Sequence, residues 1–136
     1  ENVMFPRMAM IDGTDQEKAK ELLEYVGLKE RLHHYPDEMS GGEKQRVAIA
    51  RALINDPSII IADEPTANLD SVSTDAVLTL FKRMHLEFKK TIIMVTHEES
   101  DKKYMDRIIV LKDGQIISEE TALPQERKGA QGILRS

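Results

Sequence analysis

Two β-branched runs constrain this chain most: Ile59-Ile60-Ile61, and Thr91-Ile92-Ile93-Met94-Val95-Thr96. Between them lies a stretch with Val77, Leu80, Phe81, Met84 and Phe88 at helical spacing. A strand, a helix and a second strand in that order give a parallel crossover, because a tight hairpin joins only antiparallel strands. Continuous apolar runs, rather than alternating ones, are the pattern of strands covered on both faces. The sequence therefore predicts a helix from about Ser71 to Lys89 inside a βαβ unit over residues 59–96, with both strands buried. The fold class is α/β.

The flanking segments extend this frame. Thr14 and Glu17 form a capping box ahead of Ala19, Leu22, Leu23 and Val26, and Gly27 is the stop. Residues 28–39 read as a short helix and then a loop. Ser40 and Glu43 make a second capping box, opening a helix through Val47, Ala50 and Ile54 to Asn55-Asp56-Pro57. A short helix is expected near residues 98–105, then a strand over Arg107–Lys112. Asp113-Gly114 turns it into Gln115-Ile116-Ile117, the two-residue hairpin signal. Residues 1–13 are Met-rich and end in a turn pair, Asp12-Gly13. The organisation is a helical region over 1–57, a core over 58–120 and a polar, frayed tail over 121–136.

Composition removes whole classes of function. The 136 residues contain no cysteine, which excludes disulfide scaffolds, Cys-ligated zinc, Fe–S clusters and thiol catalysis. A net charge of -5 argues against a chain devoted to nucleic acid. No apolar run approaches the ~20 residues of a membrane helix. There is no secretory-signal pattern at Glu1-Asn2-Val3-Met4, and a start on Glu leads us to expect a piece of something longer.

Ligands of open parallel sheets gather past the carboxyl ends of the strands. Here the first strand ends in Asp63-Glu64-Pro65-Thr66 and the second in Thr96-His97-Glu98, so two carboxylates and an imidazole converge on one edge. A residue before proline is pushed into extended geometry, which predicts that Glu64 continues the strand and that Asp63 and Glu64 face opposite sides. That arrangement allows one carboxylate a metal ion and the other a water. Equally, the pair only begins a turn, and His97 is an ordinary strand-end histidine. Ser40-Gly41-Gly42 is either a capped helix start or a helix N-terminus whose glycines let a phosphate approach the backbone. Asn68-Leu69-Asp70 is readable as an N-cap alone. His33 and His34 read as solvated loop residues and His85 as the polar side of its helix, none with metal-ligand spacing.

Taken together, these segments resemble the C-terminal part of an ATP-binding-cassette (ABC) ATPase. Met39-Ser40-Gly41-Gly42-Glu43-Lys44-Gln45-Arg46 is similar to the family's signature motif, with Met where Leu is usual. Ile59-Ile60-Ile61-Ala62-Asp63-Glu64 resembles its Walker B strand, Ala67-Asn68-Leu69-Asp70 its D-loop and His97 its switch histidine. The order and spacing are family-like up to about residue 120. Within the family, Glu1-Asn2-Val3, residues 22–32 and residues 104–114 look most like transporter subunits of the lipoprotein-release and macrolide-export group.

The resemblance implies part of a P-loop NTPase fold and the following roles. Asp63 binds Mg²⁺ through water, Glu64 polarises the attacking water and His97 contacts the γ-phosphate of ATP. Ser40, Gly41, Gly42 and Gln45 close over ATP held by a second ATPase subunit in a head-to-tail dimer, with Asp70 reaching across. It further implies a membrane permease as partner, no nucleic acid, and a cytoplasmic place on the inner face of the cell membrane. The phosphate loop G-x-x-x-x-G-K-[ST] is missing, since none of the seven glycines precedes a lysine. The 136-residue chain alone is therefore expected to bind ATP poorly and to hydrolyse none at a meaningful rate. Two alternatives remain at this point. One is the ATPase lobe of a chromosome- or repair-type ABC protein, which a heptad run before Ser40 favours and Pro36 does not. The other is a non-catalytic binding module.

Overall fold

The computed structural model describes residues 13–121. By internal contacts the chain divides into two compact units, Glu1–His97 and Glu98–Ser136.

The first unit begins with helix α1, Gly13–Tyr25. It starts one residue ahead of the predicted cap Thr14, whose side chain lies outside the described residues. Its end is the predicted one. Gly27 takes φ +76°, its N–H donates to the Glu24 carbonyl at 2.9 Å, and the Leu28 N–H reaches back to Leu23 at 2.7 Å. That pair of bonds is the Schellman motif, and it drives Leu28 into the core at 1% exposure. Residues 28–39 hold two 3-10 turns, Lys29–Arg31 and Pro36–Glu38, in place of one short helix.

Helix α2, Gly41–Leu53, opens on the predicted capping box. The Glu43 N–H donates to Ser40 Oγ at 3.2 Å and the Ser40 N–H to Glu43 Oε2 at 2.8 Å. Arg31 Nε, from the preceding turn, donates to the other oxygen of Glu43 at 2.9 Å. The Ser40 N–H first and Arg31 second hold the Glu43 carboxyl below its usual range.

Strand β1, Ile59–Asp63, leads to helix α3, Ser71–Phe88, and strand β2, Thr91–Val95. β1 and β2 pair in parallel, Ile59 opposite Thr91 and Asp63 opposite Val95, as the crossover predicts. Val77, Leu78, Leu80, Phe81 and Met84 of α3 are buried. Lys90, at the entry to β2, pairs with Asp56, at the entry to β1, and depresses its carboxyl pKa.

Two expectations of burial are corrected. Among the described residues neither strand is covered on both faces. Ile60 is 7% exposed, whereas Ile61 on the opposite face is 74% exposed, with Ile59, Ile93 and Val95 all at half or more. α3 lies against β2 on one side, and among the described residues no layer covers the other. Phe88, predicted to face inward, is 49% exposed. It sits in the last turn and packs its ring at 4.9 Å from Tyr25 of α1 instead of entering the core. Glu87 accepts from the Tyr25 hydroxyl at 3.1 Å, and burial foremost, with that bond, pushes the Tyr25 pKa up to about 12.

In the second unit a 3-10 helix, Glu99–Tyr104, takes the place of the predicted short helix. It precedes the antiparallel pair β3, Arg107–Lys112, and β4, Gln115–Thr121. Asp113 and Gly114 both have positive φ, 49° and 75°, as the two-residue turn requires. A bulge at Val110/Leu111 shifts the register. Thr121 still belongs to β4, and the rest of the polar tail lies outside the described residues.

The caps make a pH prediction. Asp70, the N-cap of α3, is also held below its usual pKa, first by the Ser73 hydroxyl and then by the Ser73 N–H. A depressed native pKa gives stability that is present above the unfolded value of about 4 and lost as pH falls through the native one. Urea unfolding between about pH 5 and pH 2 is expected to show stability falling with acid, more shallowly in Asp70→Asn. An identical slope in the variant would exclude Asp70 as a contributor.

Candidate functional site

Glu64 and His97 form one contact. Glu64 follows β1 directly, and its N–H donates to the Val95 carbonyl of β2 at 2.8 Å, so the end of one strand is tied to the end of the other. His97 follows β2, and its Nδ1 lies 3.1 Å from Glu64 Oε1. A carboxylate only accepts, so in the neutral ring the proton sits on Nδ1 and donates to Glu64. Both side chains are exposed.

The predicted extended geometry at Glu64 is wrong. Glu64 has φ +43°, in the left-handed region. The Ala67 N–H donates to the Glu64 carbonyl at 3.1 Å, closing a turn that buries Pro65 and Thr66. Closing that turn while keeping the bond to Val95 outweighs the local preference before proline. A left-handed non-glycine residue costs of order 1–3 kcal/mol, and such strain concentrates at functional positions. The opposite-sides argument for Asp63 and Glu64 does not survive the turn, since alternation holds only along a strand. Asp63 itself stands exposed at the end of β1, outside the Glu64–His97 contact.

Ser40, Gly41, Gly42 and Asp70 form a second group, at the starts of α2 and α3. Ser40 is exposed. Its Oγ accepts the capping bond from Glu43, which leaves its O–H able to donate to an anion. A Cβ placed on Gly41 would lie 3.5 Å from Leu69, in the segment just before Asp70, and one on Gly42 would collide with Ser73. Gln45 is half-buried in the second turn of α2. Asp70 caps α3, taking the Ser73 N–H at 3.0 Å and the Ser73 hydroxyl at 2.7 Å. Ser73 was missed in the sequence, although its position three residues after an N-cap Asp is the signal that marks it.

His33 and His34 are exposed, as expected, and an Arg31 N–H lies 3.2 Å from His34 Nε2. His85 is exposed too, its Nδ1–H 2.9 Å from the Lys90 carbonyl. Among the described residues no cluster of three or more His, Cys, Asp or Glu could hold a metal ion alone. Asp63, exposed at a strand end, is a single carboxylate that could take part in holding an ion that keeps several of its waters. Among the described residues no helix is long and apolar enough to cross a membrane.

Known proteins bear directly on this geometry. Residues 1–67 match the family described as ABC transporter. Over 121 residues the chain is 54% identical to an uncharacterised ABC transporter ATP-binding protein of Methanocaldococcus jannaschii, covering 86% of this chain and 53% of that one. It is 49% identical over 121 residues to the lipoprotein-releasing system ATP-binding protein LolD of Bacteroides fragilis, covering 86% and 55%. The fold matches a dimeric ATP-binding cassette in a post-hydrolysis state, bound to ADP and Pi. The TM-score is 0.71 at 41% identity, over 88% of this chain and 52% of that one. The chain thus spans about half the length of each of these three proteins. Identity near one residue in two, a shared cassette fold and the strand-end contact lead to one assignment: the chain belongs to the ATP-binding-cassette family.

Proposed function

We propose that this chain is part of the ATP-hydrolysing subunit of an ABC transporter, working on the cytoplasmic face of a membrane beside a permease. The Glu64–His97 contact carries the reading. It sets a potential general base 3.1 Å from an imidazole at the carboxyl ends of two paired parallel strands. In that reading Glu64 orients and deprotonates the attacking water, and His97 contacts the γ-phosphate while staying registered by Glu64. Asp63 is the carboxylate that would hold Mg²⁺. The ion, when bound, neutralises charge on the phosphates.

Ser40, Gly41 and Gly42 offer a hydroxyl and helix-terminal N–H groups to the nucleotide of a second ATPase subunit, with Gln45 and Asp70 at the same interface. Phosphoryl transfer depends on positioning and charge stabilisation, so two chains can supply one site. The names of the relatives, an ATP-binding protein of an ABC transporter and one of a lipoprotein-releasing system, support the transport context. The test is Mg²⁺-dependent phosphate release from ATP by the full-length protein, alone and with its co-purified membrane partner. Release at the buffer rate in both would overturn the proposal.

A further inference from the structure

Gly42 and Ser73 meet where α2 and α3 begin. A Cβ on Gly42 would fall 2.6 Å from Ser73 Oγ and 2.8 Å from Ser73 Cβ, closer than such atoms pack. Gly42 is buried, and its φ is not in the left-handed region, so close approach and not torsion requires glycine there. The same Ser73 engages both oxygens of Asp70, its N–H on Oδ1 at 3.0 Å and its hydroxyl on Oδ2 at 2.7 Å. One small side chain thus fills the space over Gly42 with its Cβ and commits its hydroxyl proton to Asp70. Leu69, beside Asp70, lies in van der Waals range of the Cβ position of Gly41, so the two segments touch at a second point.

We propose that Ser73 is a positioning residue that fixes the Ser40-Gly41-Gly42 segment and Asp70 at one separation, so that both meet the second subunit together. This rests on the proposed function, in which those two segments face the partner's nucleotide. Any motion of α3 at its N-terminus then moves both at once. A larger residue at 42 or a lost hydroxyl at 73 uncouples them without touching Asp63, Glu64 or His97.

The test uses the full-length protein and four variants. Ser73→Ala keeps the Cβ over Gly42 but leaves Asp70 Oδ2 without its donor. Its kcat is expected to fall roughly tenfold, the scale of one hydrogen bond to a charged group, with ATP affinity unchanged. Gly42→Ala pushes the two helix starts apart and is expected to lower kcat roughly 10²-fold, as an ångström-scale misplacement does. Gly42→Ala with Ser73→Gly removes the colliding atoms and should be more active than Gly42→Ala alone. A purely structural role would lower ATP affinity and thermal stability along with kcat, and the double variant would then be the worst of the set.

Wild-type kcat in Ser73→Ala, a parallel loss of affinity, or additive damage in the double variant each overturns the proposal. If Gly42→Ala does not fold, folding of the double variant supports the contact, and the kcat-against-affinity split in Ser73→Ala still decides the positioning role. Glu64→Gln is the control. Full hydrolysis in that variant removes only Glu64 from the mechanism, and release at the buffer rate by the wild type sinks the functional reading itself, whereas an inactive Glu64→Gln beside a wild-type Ser73→Ala sinks only this inference.

Discussion

Replacing Glu64 with Gln in the full-length protein is expected to reduce ATP turnover by ~10²–10⁴-fold, the usual worth of a general base. Gln preserves the shape of the side chain and a carbonyl oxygen that still accepts from His97 Nδ1, so the 3.1 Å contact and the turn at residues 64–67 should persist. Only the capacity to take a proton is removed. ATP binding is therefore expected to be unchanged while the chemical step stalls, and single-turnover phosphate release separates the two. Glu64→Ala removes the contact as well and should also disturb His97. A Gln variant within threefold of the wild-type rate, on the order of 0.6 kcal/mol, would remove Glu64 from the mechanism. A loss confined to ATP affinity would assign it a binding role instead.

Much of the frame was legible because local chemistry and tertiary structure agree. The Ser40–Glu43 box, the Gly27 stop and the Asp113-Gly114 turn each follow from residues close in sequence, and the parallel pairing of β1 with β2 follows from the strand–helix–strand order. Two misreadings came from forces that act beyond the local window. At Glu64, the preference before proline is a nearest-neighbour effect. It lost to a turn closed by Ala67 and a bond to Val95, which lies 31 positions along the chain. At Ile61, an apolar residue in an apolar run cannot announce whether a second layer exists to cover it; the run is the same with the layer or without it.

The candidate site followed the same division. Glu64 and His97 converge because parallel strands bring their carboxyl ends together, which spacing alone foretells. The meeting of Gly42 with Ser73 depends on how α2 packs on α3, for which no short motif codes. Capping and crossing are also compatible at one residue: Asp70 is an N-cap, as its neighbours in sequence state, and nothing in that role prevents it from facing a second chain.

The uncovered sheet face yields the second large effect, through a contrast between two apolar residues of the 136-residue chain. Leu78 is 1% exposed on the inner side of α3, and Leu78→Ala is expected to cost about 2–5 kcal/mol through lost burial and the cavity left behind. Against a total of roughly 5–15 kcal/mol for a domain, that is a large share of the stability. Ile61, one position along from buried Ile60 in the same strand, is 74% exposed. Ile61→Thr keeps the β-branched shape and should change stability by no more than about 0.5 kcal/mol, as an exposed substitution does.

What Ile61→Thr should change is association. Ile59, Ile61, Ile93 and Val95 lie together on one face, and β1 and β2 form a two-stranded sheet among the described residues. An open apolar face with unpaired strand edges is a template for a second copy of the chain. Sedimentation of the wild-type chain is expected to show self-association that Ile61→Thr weakens and Leu78→Ala does not. Should urea unfolding instead find Ile61→Thr as damaging as Leu78→Ala in a monomer, that face is covered by the chain's own residues, and the association argument fails.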